Sequence, residues 1–471
     1  MKVVREGLFF TLAATLAAAG CNSDRQSVRT SVAFGESGIH GAYLIRNAAL
    51  VLTMDPNVGQ GMLGEMRAAD VLLVKDHIQA VGHHLSVPHG AEVIDGTGKI
   101  VMPGFIDTHD HLWQSLIRGG AADENVNGWL VRCVFPFSKA PFSEFDAYTG
   151  VRLSTSGLIN TGVTTAVDWS HAFNPGFVRG NLRALNDSGM RYAFAMYGAQ
   201  LDGSDIRAAK AEFIDPNPLA TLQIASHPSP STATHLNAMS QVAKQLHVKL
   251  HVHLLENISQ VAEHPMDLLQ AAGAFGLGRD LLTAHDCHLS DSDIAALAKI
   301  GASASHQPLS NMRLASGIMS VNKVQAAGIR IGLGLDGGTN DTADMFNNMR
   351  AAVGLQRAKS HNSHGTPTVA EVLRMATMGG AEVLDQEDKI GSLTPGKQAD
   401  VIVIDPNALN FAPQLQQNNQ IVFNGQPNNV TWVFVAGRPL KARGKLVGVD
   451  ERQLLLDSQI AVKDIAPAIR P

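Results

Sequence analysis

Between Gly104 and Ile390 the sequence alternates short apolar runs with longer helical stretches, and this alternation limits the fold more than any other feature. The runs are Gly104 to Asp107, Thr164 to Asp168, Tyr192 to Met196, Leu222 to Ala225, Lys249 to His253, Leu281 to Ala284, Ala302 to Ser305 and Ile329 to Leu335. Strand and helix in strict alternation make a parallel sheet. Eight such units over a span of this length predict an α/β fold, a closed (β/α)8 TIM barrel, whose functional groups gather at the C-terminal ends of the strands.

Short β-like runs flank this core on both sides. Upstream they are Tyr43 to Ile45, Ala49 to Thr53, Asp70 to Val74, Ile78 to Val81 and Glu92 to Ile94; downstream they are Asp400 to Asp405, Val430 to Val435 and Leu446-Val447, with Gly437-Arg438-Pro439 read as a turn. Both chain ends are therefore expected to build one small β-sandwich around a barrel domain at 104–390. Residues 42–103 would supply its N-terminal strands, and residues 391–471 its C-terminal strands and a tail.

The first 21 residues read as a signal peptide rather than a fold element. Lys2 and Arg5 precede the apolar run Leu8 to Ala19, which is too short to span a membrane as a mature helix. Ala18-Ala19-Gly20-Cys21 resembles the lipobox of bacterial lipoproteins, so the expectation is an exported protein, periplasmic or anchored through a lipid on Cys21. Residues 22–41 are polar and mixed and read as a linker. Only Cys133 and Cys287 then remain, too few for a disulfide scaffold, and buried free thiols are expected.

Net charge is -5 with acids and bases dispersed, and there is no basic run or basic-aromatic stripe. Nucleic acid is thus not an expected partner, and a small molecule is.

The strand ends carry the chemistry. Asp107-Thr108-His109-Asp110-His111 closes the first run, and two histidines one residue apart on a strand face the same side, with Asp110 turned away. His227 stands at the end of the fourth run, His251 and His253 at the fifth, His285 at the sixth, His306 at the seventh and Asp336 at the eighth. In a closed barrel these ends converge.

His109, His111, His253 and Asp336 together offer three imidazoles and a carboxylate, a set that suits one divalent ion, zinc first and Fe(II) second. Of the pair on the fifth strand His253 is preferred, because it lies nearer the strand end. Water on such an ion loses a proton near neutral pH and becomes a hydroxide nucleophile. Glu256, three residues past His253, is placed to shuttle a proton; His285 either ligates or orients the attacking oxygen, and Asp336 either ligates or accepts its proton. Trp113, Gln114, Arg118, His227 and His306 are the candidates for contact with substrate. Met345, Phe346 and Met349, at helical spacing, read as core.

Taken together, Pro103 to His111, His251-Val252-His253-Leu254-Leu255-Glu256, Ala284-His285, Ser305 to Asn311, Leu335-Asp336-Gly337 and Gly391 to Asp400 resemble the amidohydrolase superfamily, in its cytosine, guanine and S-adenosylhomocysteine deaminase and triazine hydrolase branch. The resemblance implies the barrel with its sandwich and one metal on His109, His111 and His253, with Asp336 as ligand or base, Glu256 as shuttle and His285 orienting the hydroxide. Two-metal relatives bridge their ions with a lysine on the fourth strand, and Leu222 to His227 contains none. The implied reaction is hydrolytic deamination of an N-heterocyclic aromatic amine, on a chain compatible with a homo-oligomer. The alternatives are hydrolysis of an amide, carbamate, urea or carbon-halogen bond, and a non-catalytic lipid-anchored binding protein.

Overall fold

The computed structural model describes residues 41–140, 142–337 and 343–469. The expected signal peptide, and all but one residue of the expected linker, lie outside the described residues.

The flanking domain contains β1 (Ala42–Ala48), β2 (Leu50–Leu52), β3 (Glu65–Met66), β4 (Ala69–Val74), β5 (His77–Gly82), β6 (Glu92–Asp95) and β7 (Ile100–Pro103). The barrel follows with β8 (Phe105–Asp110), β9 (Val163–Ser170), β10 (Arg191–Tyr197), β11 (Ala220–Ser226), β12 (Lys249–Leu254), β13 (Leu281–His285), β14 (Ser303–His306) and β15 (Arg330–Leu333). After it come β16 (Val401–Ile404), β17 (Val430–Val435), β18 (Arg438–Ala442) and β19 (Lys445–Leu446).

All eight apolar runs form strands, paired in parallel and in sequence order from β8 to β15. Every residue of β8, β9 and β12 is buried, as a parallel sheet covered on both faces requires. The ends of the sheet meet where Asp336 N donates to His109 O at 2.9 Å and Leu335 N donates to Asp107 Oδ1 at 3.0 Å. Inside, Val167, Trp169, Ala193, Ala195, Ala225 and Leu282 pack with Ile106 and with Ala381, Val383 and Ile390 from the segment beyond β15. The helices outside are stopped by local signals: Glu144–Thr161 opens with a Ser143/Asp146 capping box and ends at Gly162, with φ +97°. Met345, Phe346 and Met349 are fully buried, as core.

One sheet of the flanking domain has the order β5-β4-β1-β6 and the other β19-β18-β17-β16-β7-β2-β3. Strands from both chain ends thus share the larger sheet, where β7 pairs antiparallel with β16. The chain passes from β7 into β8 through Gly104, where a Cβ would come within 2.1 Å of the Thr164 side chain, so only glycine fits. A second tie is ionic: the buried Arg191 on β10 meets Asp400 with Nε to Oδ2 at 2.9 Å and Nη2 to Oδ1 at 3.1 Å.

Two details differ from the sequence reading. Val435 pairs with Arg438, so the turn is Ala436-Gly437, both with positive φ, and Arg438 and Pro439 already belong to β18. The C-terminal region also carries the helices Gln417–Asn424 and Glu451–Ile465, the latter packed on Glu144–Thr161. Cys133 and Cys287 are free and buried. Among the described residues no helix is long and apolar enough to cross a membrane.

Candidate metal centre and active site

The strand ends of the barrel bring His109, His111, His253, His285 and Asp336 together in the interior. His109, His253, His285 and Asp336 each offer an atom within 4.8 Å of the others, and all four are buried. His111 adjoins this group, with its Nε2 3.2 Å from His253 Nε2 and 3.3 Å from Asp336 Oδ1. His285 thus stands as close to a shared centre as the residues first expected to ligate.

The turns that aim these side chains are built from strained backbone. Leu255 (φ +48°) turns the chain after β12 so that Glu256 is buried rather than solvated. His285 and Asp286 are both left-handed at the end of β13, and Asp336 (φ +64°) is followed by Gly337 (φ +63°). Non-glycine residues in this region concentrate at functional sites. Gly334 serves another purpose than turning, since a Cβ there would lie 2.9 Å from His109 Cβ.

Hydrogen bonds to oxygen acceptors fix which ring nitrogen is bare in His111 and His285. His111 Nδ1 donates to Trp169 O at 2.7 Å and His285 Nδ1 donates to Asn311 Oδ1 at 2.9 Å. His109 Nδ1 is engaged with His251 Nε2 at 3.0 Å. In each case Nε2 is left toward the centre. His109 Nε2 and His285 Nε2 are buried without a hydrogen-bond partner, which is the condition of ligand atoms rather than of satisfied core histidines, while on His253 it is Nδ1 that lacks a partner and Nε2 that faces His111.

Electrostatics agree with a cation site. Burial pushes His109 down to about 3 and His253 well below the usual imidazole range, so both are neutral. Burial would raise Asp336, but the imidazoles of His109 and His111 hold it well below the carboxylate range, and it is ionised. His111 is raised despite its burial, because Asp336 favours positive charge there. Neutral imidazoles around one carboxylate can hold a divalent metal ion.

Around the centre, Glu256 Oε2 lies 3.7 Å from His285 Nε2 while its Oε1 accepts from Ser316 Oγ at 3.2 Å. Burial raises the Glu256 carboxyl above its ordinary value. Ser310 Oγ donates to Asp336 Oδ2 at 2.5 Å.

The expected substrate residues divide. His227 is half-buried and stacked on His253, with centroids 4.8 Å apart. His306 is buried at the end of β14, and both its ring nitrogens lack a partner. Trp113 is fully buried among Phe137, Phe142, Phe173 and Phe177, and its Nε1 donates to His171 Nδ1 at 3.1 Å. Gln114 is buried beside Gly337, and Arg118 is exposed at the C-terminal end of the short helix Leu112–Ile117.

Sequence reasoning missed His171, which is half-buried with its ring 4.9 Å from that of His111. The rule that found the other histidines would have found it, because β9 runs to Ser170 and His171 is the next residue. A cleft of about 440 Å³ lined by Met54, Asp55, Glu371 and Arg374 contains none of the residues of the metal centre.

The Amidohydrolase family model matches residues 100–440, most of the chain. The chain belongs to the amidohydrolase family. It is a hydrolase acting on carbon-nitrogen bonds other than peptide bonds.

Over 446 residues, 90% of this amidohydrolase and 98% of the relative, it is 30% identical to a 5'-deoxyadenosine deaminase of Methanobrevibacter smithii. It is 31% identical over 448 residues to a 5-methylthioadenosine/S-adenosylhomocysteine deaminase of Desulforudis audaxviator, covering 90% of this chain and 99% of the relative. An adenosine deaminase from Xanthomonas campestris, solved with bound zinc, superposes with a TM-score of 0.81 at 25% identity over 90% of this chain and 98% of its own. The zinc-complexed atrazine chlorohydrolase of Arthrobacter aurescens shares the fold, with a TM-score of 0.79 at 22% identity over 89% and 100% of the two chains.

Proposed function

We propose that this amidohydrolase is a zinc-dependent deaminase of adenosine-type substrates, releasing the exocyclic amine of the purine as ammonia. The observation that carries the reading is the set of unpartnered imidazole nitrogens gathered on an ionised Asp336, with the protonatable Glu256 at its edge. The relatives named as 5'-deoxyadenosine and 5-methylthioadenosine/S-adenosylhomocysteine deaminases support the substrate class.

His109, His111, His253 and Asp336 would hold the ion, with His285 at ligand distance from the same centre. The chemistry a divalent ion supplies there is the lowering of a water's pKa toward neutrality.

The remaining work falls to the protein. Asp336, ionised and held by Ser310, accepts the proton of the attacking water. His285, its Nδ1 donating to Asn311, presents a bare Nε2 that accepts a hydrogen bond and orients that water. Glu256 keeps a proton nearer neutral pH than an exposed glutamate does and delivers it to the substrate, whose amine then leaves. The half-buried His171 and His227 flank the approach and are placed to meet the planar base.

The test is ammonia release from zinc-loaded protein with adenosine, 5'-deoxyadenosine, 5'-methylthioadenosine and S-adenosylhomocysteine. At least one should be turned over, and activity should vanish on chelation and return with zinc. A fully loaded sample that deaminates none of them would refute the reading. We also propose that the mature chain begins at a lipidated Cys21, an idea that an unmodified Cys21 in membrane-fraction mass spectra would sink.

A further inference from the structure

We propose that Gln223 and His251 are positioning residues that set the protonation pattern of His109 and thereby keep its Nε2 lone pair available to a metal. The proposal rests on the reading of His109 as a ligand. His251 was weighed as a ligand in the sequence because it shares a face with His253, but its ring turns elsewhere: Nε2 lies 3.0 Å from His109 Nδ1, and Nδ1 lies 3.1 Å from Gln223 Oε1. All three side chains are buried, so water does not compete for these bonds.

The three groups form a chain that has two consistent directions. A neutral imidazole has one N–H and one lone pair. When Gln223 presents its oxygen, His251 carries its proton on Nδ1, its Nε2 accepts from His109 Nδ1, and His109 Nε2 is bare. When the amide presents its NH2 group instead, every bond reverses and the proton of His109 falls on Nε2, the atom that lies 3.3 Å from Asp336 Oδ1. A ligand nitrogen must be bare. The structure has the first direction, with Gln223 Oε1 facing His251.

His111 and His285 each reach a fixed acceptor directly, a backbone carbonyl and an asparagine oxygen. Only His109 among these depends on a second ring. The amide at Gln223, on β11 rather than on either histidine's strand, therefore decides whether His109 can ligate.

The test compares zinc affinity, by competition with a chromophoric chelator, in the parent, Gln223→Glu, Gln223→Met and Gln223→Asn. Glutamate offers only acceptors and should bind zinc at least as tightly as the parent. Methionine removes the acceptor and asparagine is one methylene short, so both should weaken zinc by about 10–100-fold. The zinc-free proteins should melt within a few degrees of one another. Zinc affinity equal to the parent's in the methionine and asparagine variants, or a loss in the glutamate variant as large as theirs, would overturn the proposal. A parent that binds no zinc would overturn the metal reading itself, and is recognised without any variant.

Discussion

Glu256 Oε2 faces His285 Nε2 across 3.7 Å, with both side chains almost wholly withdrawn from solvent. The carboxyl is raised by burial, and the imidazole is held by Asn311 from the other side. This pairing places the Glu256 carboxyl beside the ring nitrogen that Asn311 does not engage.

Removing the proton from that pair is the most direct test of the mechanism. Glu256→Gln keeps shape and hydrogen bonding but cannot donate or accept a proton as an acid, so kcat should fall by about 100–10,000-fold. Zinc content should stay at the parental level, because Glu256 is not among the atoms gathered at the centre. Metal analysis beside steady-state kinetics checks both halves, and an unchanged kcat would remove Glu256 from the chemistry.

Asn311 should matter through His285 alone. Asn311→Leu removes the acceptor for His285 Nδ1–H and frees the ring to place its proton on Nε2, so kcat/KM should drop about 10–100-fold. Asn311→Asp retains the acceptor and should recover most of the loss. If both variants lose activity equally, the hydrogen bond is not the reason.

Most of the barrel was legible because a parallel strand buried on both faces is a continuous apolar run, and all eight runs stood out on that ground. The histidines were legible for the same topological reason, since residues at strand ends converge. What escaped was whatever depends on side-chain direction. His251 and His253 are the same residue type on the same face, and although His253 lies nearer the strand end, nothing in the sequence shows that the His251 ring is taken up between Gln223 on the neighbouring strand and His109. Glu256 was visible only as a residue after a strand; its burial comes from the left-handed turn at Leu255, a leucine whose type gives no hint of positive φ. Trp113, a candidate for contact with substrate, is packed among four phenylalanines distant in sequence, a setting that its own position does not reveal.

The tie between barrel and sandwich should carry a large share of stability. Asp400 takes two hydrogen bonds from Arg191 and a third from Ala436 N at 2.8 Å, all in a buried setting. Asp400→Ala strands the guanidinium without its partner and should cost about 3–5 kcal/mol. Urea unfolding followed by circular dichroism reads this as a lower midpoint, and a midpoint shared with the parent would show that the ion pair contributes nothing net.

A buried lysine gives the protein a stability that should rise with pH above neutrality. Lys441 on β18 is 2% exposed, its Nζ donates to Asn160 O at 2.7 Å, and burial lowers it to about 8 from 10.5. Below pH 8 both folded and unfolded chains hold the proton, and folding bears the full cost of burying the charge. Between 8 and 10.5 the unfolded chain binds more protons than the folded one, so this group's contribution to stability increases with pH across that window. In Lys441→Met the cost is absent at every pH. The stability of the variant relative to the parent should therefore decline by about 1–2 kcal/mol from pH 7 to pH 10, after allowance for residual screening. Paired urea titrations at the two pH values measure it, and a difference that stays constant would mean that Lys441 titrates alike in both states.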